Sequence, residues 1–480
     1  MASQGTLLDN RRFCIRNAAW IIAWDGERQD HVYRRNGDVA WQGDRIIQAG
    51  GRYGGEADVE IDGRSRLVMP GLIDIHCHPT QTPIYRGFVE EYGNPRLFFN
   101  GRQDFRQSFV QDDAALRASA RYALAEMSAA GITTIVDLSH AYPGWLDILE
   151  ESGLRVCVAP MYRSARWWAS TGQETLYDWS DDFGEAAFAE ARDVMDAAEG
   201  HACGRFTAMV APAQIDTCTP ELLKQSIALA EKTGRPLFTH GAQSYPEFNQ
   251  IARRNNQTPV AFMDSIGFLG PKTVIGHAVF TDQHPWVLWP TREDLRLLAE
   301  SGTTVAHCPT VFVRDGTLLH HIGAYMDAGV NVAIGTDTHP QNMLEEIRTA
   351  ELLARAASGA RHTSSTARLF RAATIGAAKL LGRDDLGRLA AGAKADLVTF
   401  DLDHPHMHPM RDPLRTIVHQ AAERAIDQVY VDGRRVVAAG RPETIDWGRA
   451  AEHLSREQER IASGAQNIDE IVPLSLGMAD

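Results

Sequence analysis

A (β/α)8 TIM barrel of α/β class, joined to a small β-sandwich domain built from both termini, is the fold this sequence predicts. Three observations carry the prediction. Eight short β-rich runs recur with helical stretches between them. Histidines and an aspartate fall at the C-terminal ends of several of those runs. The two ends of the chain carry a different, turn-rich strand pattern. At 480 residues the chain can bury one large core and a smaller one.

The eight runs are residues 67–78, 131–137, 154–160, 206–212, 236–240, 273–277, 303–308 and 330–337. The first opens with an apolar stretch, 67–75, that reads as one buried strand. Helical periodicity fills segments such as 112–130 and 220–233. The second of these has Thr219 as N-cap, Pro220 at the first helical position and Glu221 in the first turn. Eight alternations over roughly 300 residues fit a (β/α)8 barrel. A doubly wound open sheet is the alternative, but its usual GxGxxG loop is absent. Residues 14–66 and 395–442 read as short strands and turns, and 446–464 as a solvated charged helix. The expected division is 1–66 and 386–442 for the sandwich, 67–385 for the barrel, and 443–480 for a helix and tail.

Composition narrows the function classes. A formal charge of −14 argues against a nucleic-acid footprint. Six cysteines without a CxxC pair suit neither a disulfide scaffold nor a thiolate zinc site. No stretch has the ~18–20 apolar residues of a membrane span, and the N-terminus lacks a signal-peptide pattern. A cytoplasmic enzyme acting on a small molecule, without nucleic-acid or membrane partners, is the expectation.

His76-Cys77-His78 closes the first run. Side chains two apart on a strand share a face, so both imidazoles can meet one metal ion. His240, His277, His307 and Asp337 also end predicted strands, where a barrel carries its active site. Singly, each reads as a satisfied core histidine or a turn aspartate. Six at the same end of different strands exceed what chance supplies.

Residues 70–78 (PGLIDIHCH) resemble the metal-binding opening of the amidohydrolase superfamily. Residues 131–137 look like its second barrel strand, 334–337 like its eighth, and 386–398 like the return into its β-sandwich. Within the superfamily the chain is most similar to the triazine hydrolase, chlorohydrolase and deaminase branch, on 217–223 and 306–309 as well. The resemblance implies that His76, His78, His240 and Asp337 hold one divalent metal. Zinc is expected first, with iron or cobalt as alternatives. It also implies catalytic roles for His277, which would orient water or substrate, and for Asp337, which would move the proton. Such a donor set suits zinc and leaves room for a water. Many members carry a second metal on a carboxylated lysine after the fourth strand; here 211–214 has no lysine, so a mononuclear site is expected.

Two departures matter. Ring-deaminating members carry His-x-x-Glu after the fifth strand, whereas this chain has Gln243, an amide that cannot titrate. Gln214 stands where deaminase-like members tend to have histidine. Gln243, Gln214 and His307 are the expected substrate contacts, and Glu247 is a candidate replacement acid. The expected reaction is hydrolysis of a non-peptide C–N bond in an amide, urea or carbamate, as in phenylurea and thiocarbamate hydrolases. The alternative is deamination or dechlorination of an amino- or halo-heterocycle; a non-catalytic scaffold is the third reading. Tyr85, Phe88, Phe98, Phe99, Trp167, Trp168, Trp286 and Trp289 would suit an aromatic substrate or pack their own loops. The long segment 79–111 reads as a lid, and family members are often dimers or larger.

Overall fold

The computed structural model describes residues 10–88, 109–168, 175–319, 322–360, 364–465 and 476. Phe98, Phe99 and most of the expected lid lie outside them. Two long strands open the chain, β1 (Arg12–Asp25) and β2 (Asp30–Gln42), where short strands were expected. They are followed by β3 (Arg45–Ala49), β4 (Val59–Asp62) and β5 (Arg66–Pro70). The pairing of β1 with β2 shifts between Ile15 and Ala18, where Asn17 takes φ 55°. Such a bulge bends a strand and increases its twist.

The apolar run at 67–75 is two strands rather than one. β5 stops at Pro70, and β6 (Leu72–Cys77) starts after Gly71. β5 pairs with β1, while β6 pairs with β7 (Ile132–Asp137). The Gly71 N–H donates to the Asp396 carbonyl and the Leu72 N–H to Gly131, so the chain changes sheets at this glycine. Hydrophobicity did not reveal the break because both strands are buried throughout.

Next come β8 (Arg155–Val158), β9 (Met161–Tyr162) and a hairpin, β10 (Ala165–Trp168) with β11 (Leu176–Trp179). The fourth expected strand is also divided, into β12 (Phe206–Ala208) on β8 and β13 (Ala211–Pro212) on β9. β14 (Leu237–Gly241), β15 (Thr273–His277), β16 (Thr304–His307) and β17 (Asn331–Ile334) follow at the expected positions. These make two parallel four-stranded sheets, β12-β8-β7-β6 and β14-β15-β16-β17. Hydrogen bonds join them at both edges. The Asp337 N–H donates to His76 O at 2.7 Å and the His78 N–H to Asp337 O at 3.1 Å. At the other seam Phe238 N–H donates to Val210 O at 2.8 Å and His240 N–H to Ala213 O at 3.0 Å. The eight strands thus follow one another in a ring, and Ile73, Ile75, Val136, Phe238, Val274, Ala306 and Ala333 fill one interior cluster.

The last strands are β18 (Leu397–Asp401), β19 (Ile426–Val431), β20 (Arg434–Ala438) and β21 (Arg441–Pro442). They pair with the first strands in one nine-stranded sheet, ordered β21-β20-β19-β18-β5-β1-β2-β3 with β4 on β1. Ile15, Ile21, Val39, Trp41, Val68, Leu397 and Tyr430 form a core of their own there. Between β18 and β19 the chain makes short helical turns rather than further strands.

The helices Asp113–Ala129 and Pro220–Thr233 form as expected, and the side chains of Asp112 and Thr219 accept the capping N–H groups. The helix Trp447–Gly464 differs from the solvated element expected. Leu454 and Ile461 pack with Ile84, Phe109 and Ala115, and the Gln458 amide donates to the carbonyls of Ile84 and Arg86. Its charged residues mark only the outer face. No helix among the described residues is long and apolar enough to cross a membrane.

The ring and the nine-stranded sheet are tied by a buried charge cluster. Arg155 on β8 donates to both oxygens of Asp396 at 3.1 Å and to Asp432 at 2.5 Å. Arg155→Ala leaves the buried Asp396 carboxylate without its cation, while Asp432 keeps Lys394 at 3.1 Å, so a loss of about 3–5 kcal/mol in unfolding free energy is expected. Urea unfolding measures it, and a loss no larger than that of an exposed ion pair would show that the cluster does not hold the two sheets together.

Candidate metal centre

β6 delivers two histidines to one point despite an irregularity. Its pairing with β7 shifts between Asp74 and Cys77. Ile73 and Ile75 face the ring interior, and His76 packs against Phe238 of that same cluster, with ring centroids 5.3 Å apart. A strict alternation would turn His76 away from Ile75's side; the bulge turns it back. The His76 ring lies 5.2 Å from His78, 4.9 Å from His240 and 4.4 Å from His277, centroid to centroid.

Two glycines make room for it. A Cβ on Gly276 would stand 2.5 Å from His76 Cε1, and one on Gly335 would stand 2.6 Å from His76 Cβ. Only a residue without a side chain fits beside this imidazole on β15 and just after β17. Three non-glycine residues with left-handed backbone surround the same centre: Ala242 (φ 52°) after β14, Ala278 (φ 55°) after β15, and Asp337 (φ 58°) after β17. Each such conformation costs of order 1–3 kcal/mol and is concentrated where geometry serves function.

Hydrogen bonds fix two tautomers. The Nδ1–H of His78 donates to Leu138 O and that of His240 to Ala213 O, each at 2.6 Å. In each ring the unprotonated nitrogen is therefore Nε2, the form in which an imidazole ligates a metal. Asp337 Oδ1 lies 3.5 Å from His78 Nε2 and 3.9 Å from His76 Nε2, while Oδ2 lies 3.3 Å from His277 Nε2. Burial holds His76 and His277 well below the ordinary histidine range and pushes His240 down to about 3. Neutral imidazoles are what a metal requires.

The donor set fits a divalent ion. His76, His78 and His240 bring ligand atoms within 4.8 Å of one another. His76, His277, Cys308 and Asp337 form a second such group that shares His76. Both His76 ring nitrogens and His277 Nδ1 are buried without a hydrogen-bond partner. An unsatisfied buried polar atom is costly, and a bound cation would satisfy His76. Three imidazoles and a carboxylate suit zinc.

Above this cluster opens a cavity of 660 Å³, lined by His78, His240, His277 and Asp337 together with Gln214 and Gln243. Gln214 Oε1 accepts from the Thr217 hydroxyl at 2.7 Å, and Gln243 Nε2 is buried without a partner. His307 is buried at the end of β16, its pKa pushed down to about 4 by burial, but it is not among the residues that line this cavity. Glu247 does not line it either. Its two oxygens accept from the N–H groups of Ala242 and Gln243 at 2.7 and 2.8 Å, while Ser244 Oγ accepts the Glu247 N–H. This is a capping box, so the carboxylate is engaged by the backbone. Burial and the nearby Asp216 push its pKa up.

Tyr85, Trp167 and Trp168 line the cavity. Trp286 and Trp289 do not; they pack on Phe280 and Phe248, the loop-packing alternative of the two open for them. His140, Arg163, Arg166 and Asp178 also line it and were missed from sequence. His140 was findable, because it lies just beyond β7 at the same end as the other histidines. The others sit on or beside the β10–β11 hairpin, which no periodicity announced.

The family model described as "Amidohydrolase family" matches residues 67–436. A 5-methylthioadenosine/S-adenosylhomocysteine deaminase from Halobacterium salinarum is 29% identical over 437 residues, 90% of this chain and 95% of that protein. An adenosine deaminase from Xanthomonas campestris with bound zinc superposes with a TM-score of 0.80 at 22% identity, covering 94% of this chain and 98% of that one. Atrazine chlorohydrolase from Arthrobacter aurescens complexed with zinc superposes at 0.75 with 24% identity, covering 93% and 100%.

Gly276→Ala is expected to displace the His76 ring and to weaken zinc binding by about 10-fold or more, the scale on which displaced supporting groups act. Competition against a chromophoric chelator measures it; unchanged affinity would mean that His76 is not a ligand.

Proposed function

The chain belongs to the amidohydrolase family, a hydrolase acting on C–N bonds, and from that premise we propose that it is a zinc-dependent hydrolytic deaminase of an amino-heterocycle. The observation that carries the reading is the histidine and aspartate cluster at the floor of a 660 Å³ cavity, large enough for a nucleoside-sized ligand. Support comes from the deaminases that the chain resembles over nearly its whole length. That likeness moves the amide, urea and carbamate expectation to second place.

His76, His78, His240 and Asp337 would hold the ion, with Cys308 close beside them. Bound there, zinc supplies a Lewis acid and lowers the pKa of its water to about 7. Asp337 accepts the proton of the attacking water and delivers it to the departing amine, so that one C–O bond forms, one C–N bond breaks, and ammonia leaves. His277, 3.3 Å from Asp337 Oδ2 and packed edge-on to Phe312, orients the reacting oxygen. Gln243 donates its unpartnered N–H to a ring nitrogen, which draws electrons from the reacting carbon without transferring a proton.

Gln243 also favours the second reading. An amide carbonyl needs no ring-nitrogen acid, so hydrolysis of amides or ureas would proceed with glutamine as a binding group. A product assay on the zinc-loaded protein separates the two. Ammonia from adenine nucleosides, aminopyrimidines or aminotriazines is expected; amine release confined to aryl ureas and anilides would overturn the deaminase reading.

Two substitutions test the chemistry. Asp337→Asn should lower kcat by about 10²–10⁴-fold, the range for a lost proton shuttle. Near-normal turnover would remove that role. Gln243→Glu should raise deaminase kcat and introduce a fall in activity as pH rises and the new acid deprotonates; an unchanged profile would place Gln243 out of reach of the substrate.

A further inference from the structure

His140 follows β7 and lines the cavity beside the histidine cluster. Its Nδ1 lies 2.9 Å from the Met161 carbonyl oxygen. A carbonyl can only accept, so Nδ1 carries the proton and Nε2 is left as a bare acceptor. Nε2 has no hydrogen bond among the described residues. Burial, with Arg163 and then His78 and Arg166 nearby, pushes the pKa down to about 4, and the ring is neutral at pH 7.

Two glutamines of the same wall have the opposite character. Gln214 has its Oε1 engaged by Thr217 and keeps its amide N–H groups, and Gln243 keeps an unpartnered Nε2. Both glutamines present donors, whereas His140 presents an acceptor. Arg163 and Arg166 line the same cavity, together with the carboxylates of Asp178 and Asp315.

We propose that His140 is a substrate-orienting residue that accepts, at Nε2, a hydrogen bond from an N–H or O–H of the substrate. The inference rests on the reading of this cavity as the substrate site. It deepens that reading by requiring a hydrogen-bond donor on the substrate opposite His140. A ring nitrogen flanked by an N–H, or a glycoside hydroxyl, meets the requirement. A purely structural histidine would only support the Met161 carbonyl and would treat all substrates alike.

The test uses the zinc-loaded full chain and the substrate class found by the product assay. His140→Phe should raise KM about 10-fold, the order of one lost hydrogen bond, and leave zinc content intact. kcat should change little. The same fold-change should appear in the wild type when the substrate's donor is methylated or deleted, and His140→Phe should then add no further loss. Equal losses on both substrates, or an unchanged KM, would overturn the proposal. If His140→Phe fails to fold, methylating each N–H and O–H in turn on the wild-type substrate decides: no single methylation that raises KM overturns it. If only carbonyl amides are turned over, the deaminase reading fails, while the pairing of His140 is still scored on their N–H.

Discussion

The backbone pairing of Asp337 with His76 and His78 is the constraint on which the remainder depends. It joins the first strand of the ring to the last, and the same residues that make the seam carry the side chains of the centre. A shift of one residue at this seam would separate the carboxylate from the imidazoles, since side-chain direction alternates along a strand. Asp74, beneath the seam, accepts the His76 and Thr336 N–H groups and the Thr336 hydroxyl. Register is thus fixed from below by hydrogen bonds, and the glycines at 276 and 335 leave the His76 ring its space.

That arrangement is held at some cost to the fold. Ala242, Ala278 and Asp337 adopt left-handed backbone, and His76 buries two polar nitrogens without partners. Burial lowers the pKa of His76, His240 and His277, so these rings are uncharged at neutral pH and do not repel a cation. Strain and unsatisfied polarity concentrate around one point, at the end of the ring where strands deliver side chains into a cavity. An apolar cluster of Ile73, Ile75, Val136, Phe238, Val274, Ala306 and Ala333 lies behind it.

Gln243 and Glu247 show how two neighbouring residues divide roles. Both follow β14, and on composition either could serve a substrate. The glutamate satisfies N–H groups at the start of the next helix and is directed away from the cavity. The glutamine faces the cavity with a donor to spare. Whatever polarises the substrate at this position therefore does so by hydrogen bonding, which bears on every reaction the site can support.

The sequence by itself determined the strand-helix alternation, the helix cap at Thr219, and the place of His76, His78, His240, His277 and Asp337 at strand ends, because local spacing and chemistry encode these. It did not show that the run at 67–75 divides at Gly71, since buried strands of two sheets have the same composition. Likewise, the charged helix Trp447–Gly464 read as solvated, because only its partners Ile84 and Phe109, distant in the chain, make its apolar stripe an interface. His140, Arg163 and Arg166 reach the cavity through loop geometry, and Trp286 and Trp289 miss it for the same reason. Tertiary structure decided those placements: loop direction follows from packing against remote elements, which periodicity along the chain cannot record.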